Sequence, residues 1–464
     1  MQYKRIIAAG LTCAVLLSLP VSALAVRKGS GGPKAAGSLD SSQIVPVSSG
    51  PLTFDQIEAR VRAGNLNVRA AQEGLEQAKA MDWNKALKEM DDAIEEMEDL
   101  IDSLSSASTG NMAAAVAEIS RAMAMAQSTD ETMQQAAAAL LAANVAQISA
   151  STSAATYSSI QAESLKGTLE SLEDQRDEMK KQRDDYPKTI QDTEKMVEST
   201  VDQIVSGAQS LYLTILTTQL QYESLRDTAA STAKTVEEME LRYQLGQISA
   251  QTLLQVRNAY GTLTNTVASL ENTLRTLRSS LQSLMGEAPD GSLVLADTPE
   301  VTQAELDAVN YDLDLAKAKE QSYALYSAAR SVEKAQEDMD KARKDNGKKS
   351  YQYQMAEHAY QSAVYQQSAA VASFELSFQN LYRAIAPAKA TLGVKEADLA
   401  YQEQIYAAAE LRYQQGNISA NALQEAAYTL ASARRDVEAA RLDLFTAYHA
   451  YRQALDKGLV SSGA

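Results

Sequence analysis

The chain has 464 residues, a formal net charge of -17, two histidines and one cysteine. That acidic balance argues against nucleic acid as a partner, because phosphate binding draws its affinity from Lys and Arg. One cysteine excludes a disulfide framework within the chain and a thiolate metal site.

Lys4 and Arg5 open the sequence, followed by an apolar run from Ile6 to Leu19, Pro20, and the small residues Ala23 and Ala25 around Leu24. This is the pattern of a secretory signal peptide cleaved after Ala25. The run is shorter than the roughly 20 apolar residues of a membrane-spanning helix. Cys13 lies inside it without a lipoprotein cleavage box, so the exported chain is expected to lack thiols. Cleavage removes two positive charges and takes the net charge from -17 to -19. Residues 26–51, rich in Gly, Ser and Pro, read as a flexible linker.

From Leu52 onward only Pro187, Pro289, Pro299 and Pro387 remain, and good helix formers dominate. A helix is predicted over 52–80. A helical insertion follows at about 81–165, where Trp83, Leu87, Met90, Ile94, Met97, Ile101 and Leu104 keep a three-four spacing beneath an acidic face running from Asp91 to Asp102. That face reads as solvated. A long helix is predicted over about 188–242, ending at Glu-Leu-Arg-Tyr-Gln-Leu-Gly-Gln-Ile-Ser-Ala, residues 240–250.

The outgoing helix carries an unbroken apolar seam from Leu253 and Val256 through Leu281 and Leu284. Its other face is neutral and polar, running from Thr252, Gln255 and Asn258 to Thr276 and Ser279. Gly286, Pro289, Asp290-Gly291 and Pro299 then break the chain, with a short extended piece predicted at Ser292–Ala296. A helix over 303–343 stops at Asp345-Asn346-Gly347, and another runs over about 350–412.

The second long helix ends on Glu-Leu-Arg-Tyr-Gln-Gln-Gly-Asn-Ile-Ser-Ala: these residues 410–420 match residues 240–250 at nine of eleven positions, 170 residues apart. The seam recurs at the same offsets, from Leu423 and Ala426 to Tyr451 and Ala454. Such a sustained three-four alternation marks a coiled-coil seam. Gly246 and Gly416 are the residues able to take a positive φ and end the incoming helices, and Ser249 and Ser419 are candidate N-caps of the outgoing ones. At 1.5 Å per residue the incoming helices measure roughly 80 to 95 Å.

The predicted fold is all-α, with two tandem long antiparallel coiled-coil hairpins. The first repeat covers 52–287 with its insertion, a linker 288–301, the second repeat 302–458, and a tail 459–464. Asn65-Leu66-Asn67-Val68 is read as the counterpart of Asn310-Tyr311-Asp312-Leu313, which leaves about 75 extra residues in the first half.

Two such hairpins, each tipped by Arg-Tyr-x-x-Gly-x-Ile-Ser, resemble the outer-membrane efflux protein family of which TolC is the type member. The resemblance covers most of residues 52–457. It implies a homotrimer whose six hairpins form a passive exit duct in the outer membrane or cell envelope, working with a periplasmic adaptor and an energised inner-membrane transporter. It further implies that Arg242, Tyr243, Gly246, Ile248 and Ser249, and Arg412, Tyr413, Gly416, Ile418 and Ser419, form the docking tips. The same tyrosines and arginines also suit a purely structural role in covering the hairpin ends within the trimer.

The chain departs from the family in two respects. The family's membrane strands fall at the far ends of the hairpins, where this chain has Asp184-Asp185-Tyr186-Pro187 and Lys344-Asp345-Asn346-Gly347-Lys348. Neither is flanked by the 9 to 11 alternating residues that a membrane strand needs. Of the family's aperture acids only Glu425 keeps a carboxylate, Ala422 standing at the other position. An exported coiled-coil scaffold that lacks a barrel is the rival expectation. No catalytic, cofactor or metal site is predicted, since His358 and His449 sit singly within helices.

Overall fold

The computed structural model describes residues 50–106, 154–296 and 298–460. The proposed signal peptide, most of the 26–51 linker and the middle of the insertion lie outside the described residues. The chain forms two compact units: Gln72–Glu194 belongs to one, while Gly37–Ala71 and Lys195–Ala464 make up the other. The described helices are α1 (Gln56–Gly64), α2 (Leu66–Lys79), α3 (Trp83–Ser106), α4 (Ala154–Gln244), α5 (Ala250–Leu284), α6 (Gln303–Asp307), α7 (Tyr311–Gln321), α8 (Tyr323–Asn346), α9 (Tyr351–Gln414) and α10 (Ala420–Lys457). Among the described residues the β pairing is a lone parallel bridge between Leu52 and Leu295. It holds the extended piece predicted at 292–296 through bonds from Leu52 N–H to Val294 O (2.8 Å) and from Ala296 N–H to Leu52 O (2.8 Å). The all-α fold therefore stands, and no described helix is long and apolar enough to cross a membrane.

In the first unit α3 lies antiparallel to the early part of α4. Met90, Ile94, Met97 and Ile101 pack on Leu165 and Leu172, so the predicted three-four stripe is the buried one. Trp83 meets Tyr186 edge-on at 5.1 Å, and the Tyr186 hydroxyl donates to the Ala78 carbonyl. The break expected at Asp184–Pro187 is absent, because α4 continues through Pro187. An interior proline costs about 3 kcal/mol and frees the carbonyl four residues back. Here the ring sits on an exposed face, while Tyr186 next to it is held by contacts a chain reversal would forfeit.

In the second unit the outgoing seams are buried or half-buried as the spacing predicts: none of the ten seam positions of α5 or α10 is exposed. The helices α5 and α10 still differ. α5 buries one flank, whereas α10 buries a second as well, with Leu442, Tyr448 and Leu455 covered. The residues 170 positions earlier are Asn272, Arg278 and Met285, so most of this flank is polar in the first repeat. On α10 the additional flank faces α4. Arg435 pairs with Asp227 there, and the Ser206 hydroxyl and Gln209 reach Gln453 at 2.8 and 2.9 Å.

The predicted helices 52–80 and 303–343 are each interrupted. Asn65 ends α1 and caps α2, its Oδ1 accepting from the Asn67 and Val68 amides at 2.9 and 3.1 Å. Ser322 separates α7 from α8 and caps α8 through the Leu325 amide. Both are buried, at 4% and 1% exposure, and Gly64 beside Asn65, like Ser322 itself, packs under the glycine that ends an outgoing helix. Gly286 lies on Gly64, and Gly458 lies on Ser322. The structural counterpart of Asn65 is therefore Ser322, not Asn310, which is an exposed cap of α7. The motif similarity at Asn310 is that of any Asn N-cap.

Asn65 also donates from Nδ2 to the Leu284 carbonyl at 2.8 Å, tying α1 to the end of α5. Asn65→Ala should cost about 2 kcal/mol, since it removes a cap and orphans a buried carbonyl. Asn310→Ala should cost about 1 kcal/mol or less. Equal urea midpoints for the two variants would contradict this packing.

Candidate functional site

The two tips are built by the same local chemistry. In the first, α4 ends at Gln244 and Gly246 takes φ 70°. Its amide donates to Tyr243 O at 2.9 Å, and the Gln247 amide donates to Arg242 O at 2.8 Å. This pair of bonds is a Schellman motif, which satisfies carbonyls left over at a helix end. In the second, Gly416 takes φ 74°, with Gly416 N–H to Tyr413 O at 2.9 Å and Asn417 N–H to Arg412 O at 2.8 Å. The Ser249 and Ser419 hydroxyls then accept from the Thr252 and Ala422 amides, each at 3.2 Å, and start α5 and α10. The N-cap assignment is thus correct at both places, and the two turns superimpose bond for bond.

Side chains of the tips face outward. Arg242, Tyr243, Gly246 and Ser249 are exposed with Ile248 half-buried, and Arg412, Tyr413, Gly416, Ser419 and Ile418 repeat that pattern. Tyr243 is 45% and Tyr413 43% exposed, so neither tyrosine folds back to cover its hairpin end within the chain. A Cβ added at either glycine would meet no atom within 4 Å. The tips differ in their surroundings: Arg242 pairs with Glu238, and Arg257 of α5 bonds Glu240 at 3.0 Å through Nε. Leu245 and Leu254 are exposed beside the first turn, where Gln415 and Gln424 stand beside the second. Glu425 is exposed on the second turn of α10, and its backbone carbonyl accepts from the Thr429 hydroxyl at 3.0 Å.

Of the polar face predicted on α5, all but Ser279 is exposed. Its threonines do not offer free hydroxyls: Thr262, Thr266, Thr273 and Thr276 each donate to the carbonyl four residues back at 2.9 to 3.0 Å. They therefore present methyl groups and already satisfied oxygens.

Two features were not anticipated. Met355, Tyr365, Leu376, Val394, Tyr401 and Ile405 of α9 are all exposed, at 43% to 70%, and at 3.6 residues per turn they fall within an arc of about 80°. Successive members are 10, 11, 18, 7 and 4 residues apart, mostly too far for a search for short three-four spacing to connect. His449 is not a surface histidine either. Its ring stacks on Phe445 and meets the edge of Phe54, at centroid separations of 5.7 and 4.8 Å, and Gln209 and Gln453 flank Nε2 at 3.3 and 2.9 Å. Burial pushes its pKa down to about 4, so it is a neutral element of the α4–α10 contact. His358 remains exposed on α9. Among the described residues no group of three or more His, Cys, Asp or Glu side chains is placed to hold a metal.

No protein-family model and no curated protein matches the chain. Solved structures do. The outer-membrane channel OprN is 12% identical, with 87% of this chain and 90% of that one covered at a TM-score of 0.47. The CmeC outer-membrane channel of Campylobacter jejuni is 13% identical, covering 61% and 69% at a TM-score of 0.45. The outer-membrane protein VceC of Vibrio cholerae is 17% identical, covering 56% and 72% at a TM-score of 0.38. At these low identities, the solved structures that the chain resembles are outer-membrane proteins and channels.

Proposed function

We propose that this protein is the exit-duct component of a tripartite efflux or secretion system, passive in itself and exported to the outer membrane or cell envelope. Three copies place six hairpins side by side, and a periplasmic adaptor coupled to an energised transporter docks at Arg242–Ser249 and Arg412–Ser419. The observation that carries this reading is the duplicated tip: two turns with matching backbone bonds, each holding an exposed Arg-Tyr pair that the chain itself leaves uncovered. A helix end needs only its glycine and its cap. The bonds that build the two turns do not use the Arg and Tyr side chains.

The helix faces support the same assembly. By the 170-residue shift, the apolar stripe on α9 lies close to the α4 face that α10 covers, with Leu376 in the place of Ser206. The α5 helix of a second copy, equivalent to α10, suits that stripe, and repetition of this contact closes a ring. The neutral α5 face, with its hydroxyls bonded internally, then makes a wet wall that holds passing solutes weakly. A second reading, an exported coiled-coil scaffold, draws on the helical course of residues 184–188, where a membrane strand would be needed.

Ile248→Glu with Ile418→Glu tests the docking role. Helicity by circular dichroism should be unchanged, since ten seam positions beyond each tip are untouched, while co-purification of the adaptor should fall at least tenfold. Loss of helicity would make the tips structural, and retained co-purification would remove the docking role and leave the scaffold.

A further inference from the structure

We propose that the turn between α8 and α9 is a contact site for an anionic membrane surface. It lies at the opposite end of α9 from the docking tip, and this inference does not depend on the tip's function. In a chain of net charge -17, residues 341–349 carry Lys341, Arg343, Lys344, Lys348 and Lys349 against the single carboxylate of Asp345. All five cations are exposed. Arg343 has a loose pairing with Asp340 at 3.9 Å, and among the described residues the four lysines have no ion-pair partner.

A comparable group of cations on α4 is handled differently. On α4, Arg176, Lys180, Lys181 and Arg183 are each within 4.0 Å of Asp177, Glu178 or Asp184. Four exposed lysines without ion pairs within nine residues make this turn a concentration of positive charge in a chain rich in carboxylates, and four to eight clustered Lys and Arg are what anionic headgroups attract.

The turn is also ordered for presentation. Gly347, at φ 78°, donates to Arg343 O at 3.1 Å; the Ser350 hydroxyl donates to Gly347 O at 2.9 Å and accepts from the Tyr353 amide at 3.1 Å. Lys348 and Lys349 are thereby fixed just outside the start of α9. Tyr351 follows with 72% exposure, and a tyrosine with a polar tip and apolar ring is suited to the headgroup layer. Flexible lysine stems let the ammonium groups reach phosphates while the helix end stays outside the hydrocarbon.

The experiment is co-sedimentation of the full-length exported chain with vesicles of phosphatidylcholine alone or with about one-third phosphatidylglycerol. Lys344→Glu/Lys348→Glu/Lys349→Glu is compared with Lys180→Glu/Lys181→Glu/Arg183→Glu, a control with the same change in net charge, and both are checked for helicity. The proposal expects binding to the anionic vesicles only, lost in high salt, reduced at least about tenfold by the turn variant and reduced much less by the control. Tyr351→Ala should weaken it by a smaller factor. Equal loss in both triple variants, absence of binding by the wild type at low salt, or binding of soluble polyphosphate without vesicle partition would each overturn it.

Discussion

Gly286→Ala should destabilise the folded chain by about 3 kcal/mol or more, and Gly246→Ala by only about 1 kcal/mol. Both glycines have positive φ, near 70°, and alanine pays about 1 to 2 kcal/mol in that region. Space separates them. A Cβ on Gly286 would sit 2.0 Å from the Gly64 carbonyl oxygen and 2.6 Å from its carbon, both backbone atoms. Overpacking of that kind adds about 1 to 3 kcal/mol, and relief would require α1 to move away from α5, opening the core around Ile57, Val61 and Leu281. Gly458→Ala should behave like Gly286→Ala, because its Cβ would lie 2.3 Å from Ser322 Cα. Gly416→Ala should behave like Gly246→Ala. Urea midpoints for the four variants decide the matter, and four equal losses would mean that the backbones do not approach closely at these two helix ends.

Lowering the pH from 7 to 4.5 should cost the wild-type chain about 2 to 3 kcal/mol more than it costs His449→Gln. The folded His449 is held neutral with a pKa of about 4, while an unfolded imidazole titrates near 6.5. The unfolded state therefore binds the proton first on acidification. Stability from this group is complete above about pH 6.5, declines as pH falls, and is fully lost below about pH 4, a total of about 3 kcal/mol. The cause is burial against Phe54 and Phe445, with amide partners from Gln209 and Gln453 and, among the described residues, no carboxylate bonded to the ring. Glutamine keeps hydrogen-bonding capacity at the position without a titrating ring. The comparison is made by urea unfolding at both pH values, and parallel pH dependence of the two proteins would show His449 to be solvated. Acidic groups such as Asp290, which hydrogen bonds from Ser292 and Gln282 hold at about 2, contribute equally to both proteins and cancel.

The tips and seams were legible in the sequence because each is decided by a few neighbouring residues. Gly246 and Gly416 end helices through their own backbone freedom, Ser249 and Ser419 cap through their own hydroxyls, and three-four spacing makes one helix face apolar whatever covers it. These signals also placed the helix boundaries at the two tips to within a residue or two. The roles of Arg242, Tyr243, Arg412 and Tyr413 are a different matter, since their exposure is a property of the fold and the docking proposed for them would depend on another molecule.

Only the tertiary structure decided where the remaining breaks fall and what the second flank of α10 meets. Pro187 reads as a helix end locally, but α4 continues because Tyr186 is anchored to Trp83 and Ala78, contacts more than a hundred residues away in sequence. Asn65 and Ser322 look like ordinary polar residues until the ends of α5 and α10 meet them, through the Leu284 carbonyl bonded to Asn65 and through Gly458 against Ser322. His449 and Gln453 lie on a polar stretch of α10 that is buried only because α4 supplies Ser206 and Gln209 to meet it. In each case the free energy of the local choice is about 1 to 3 kcal/mol, small enough for contacts from distant residues to reverse it, whereas burial of a ten-residue seam is too large to be overruled.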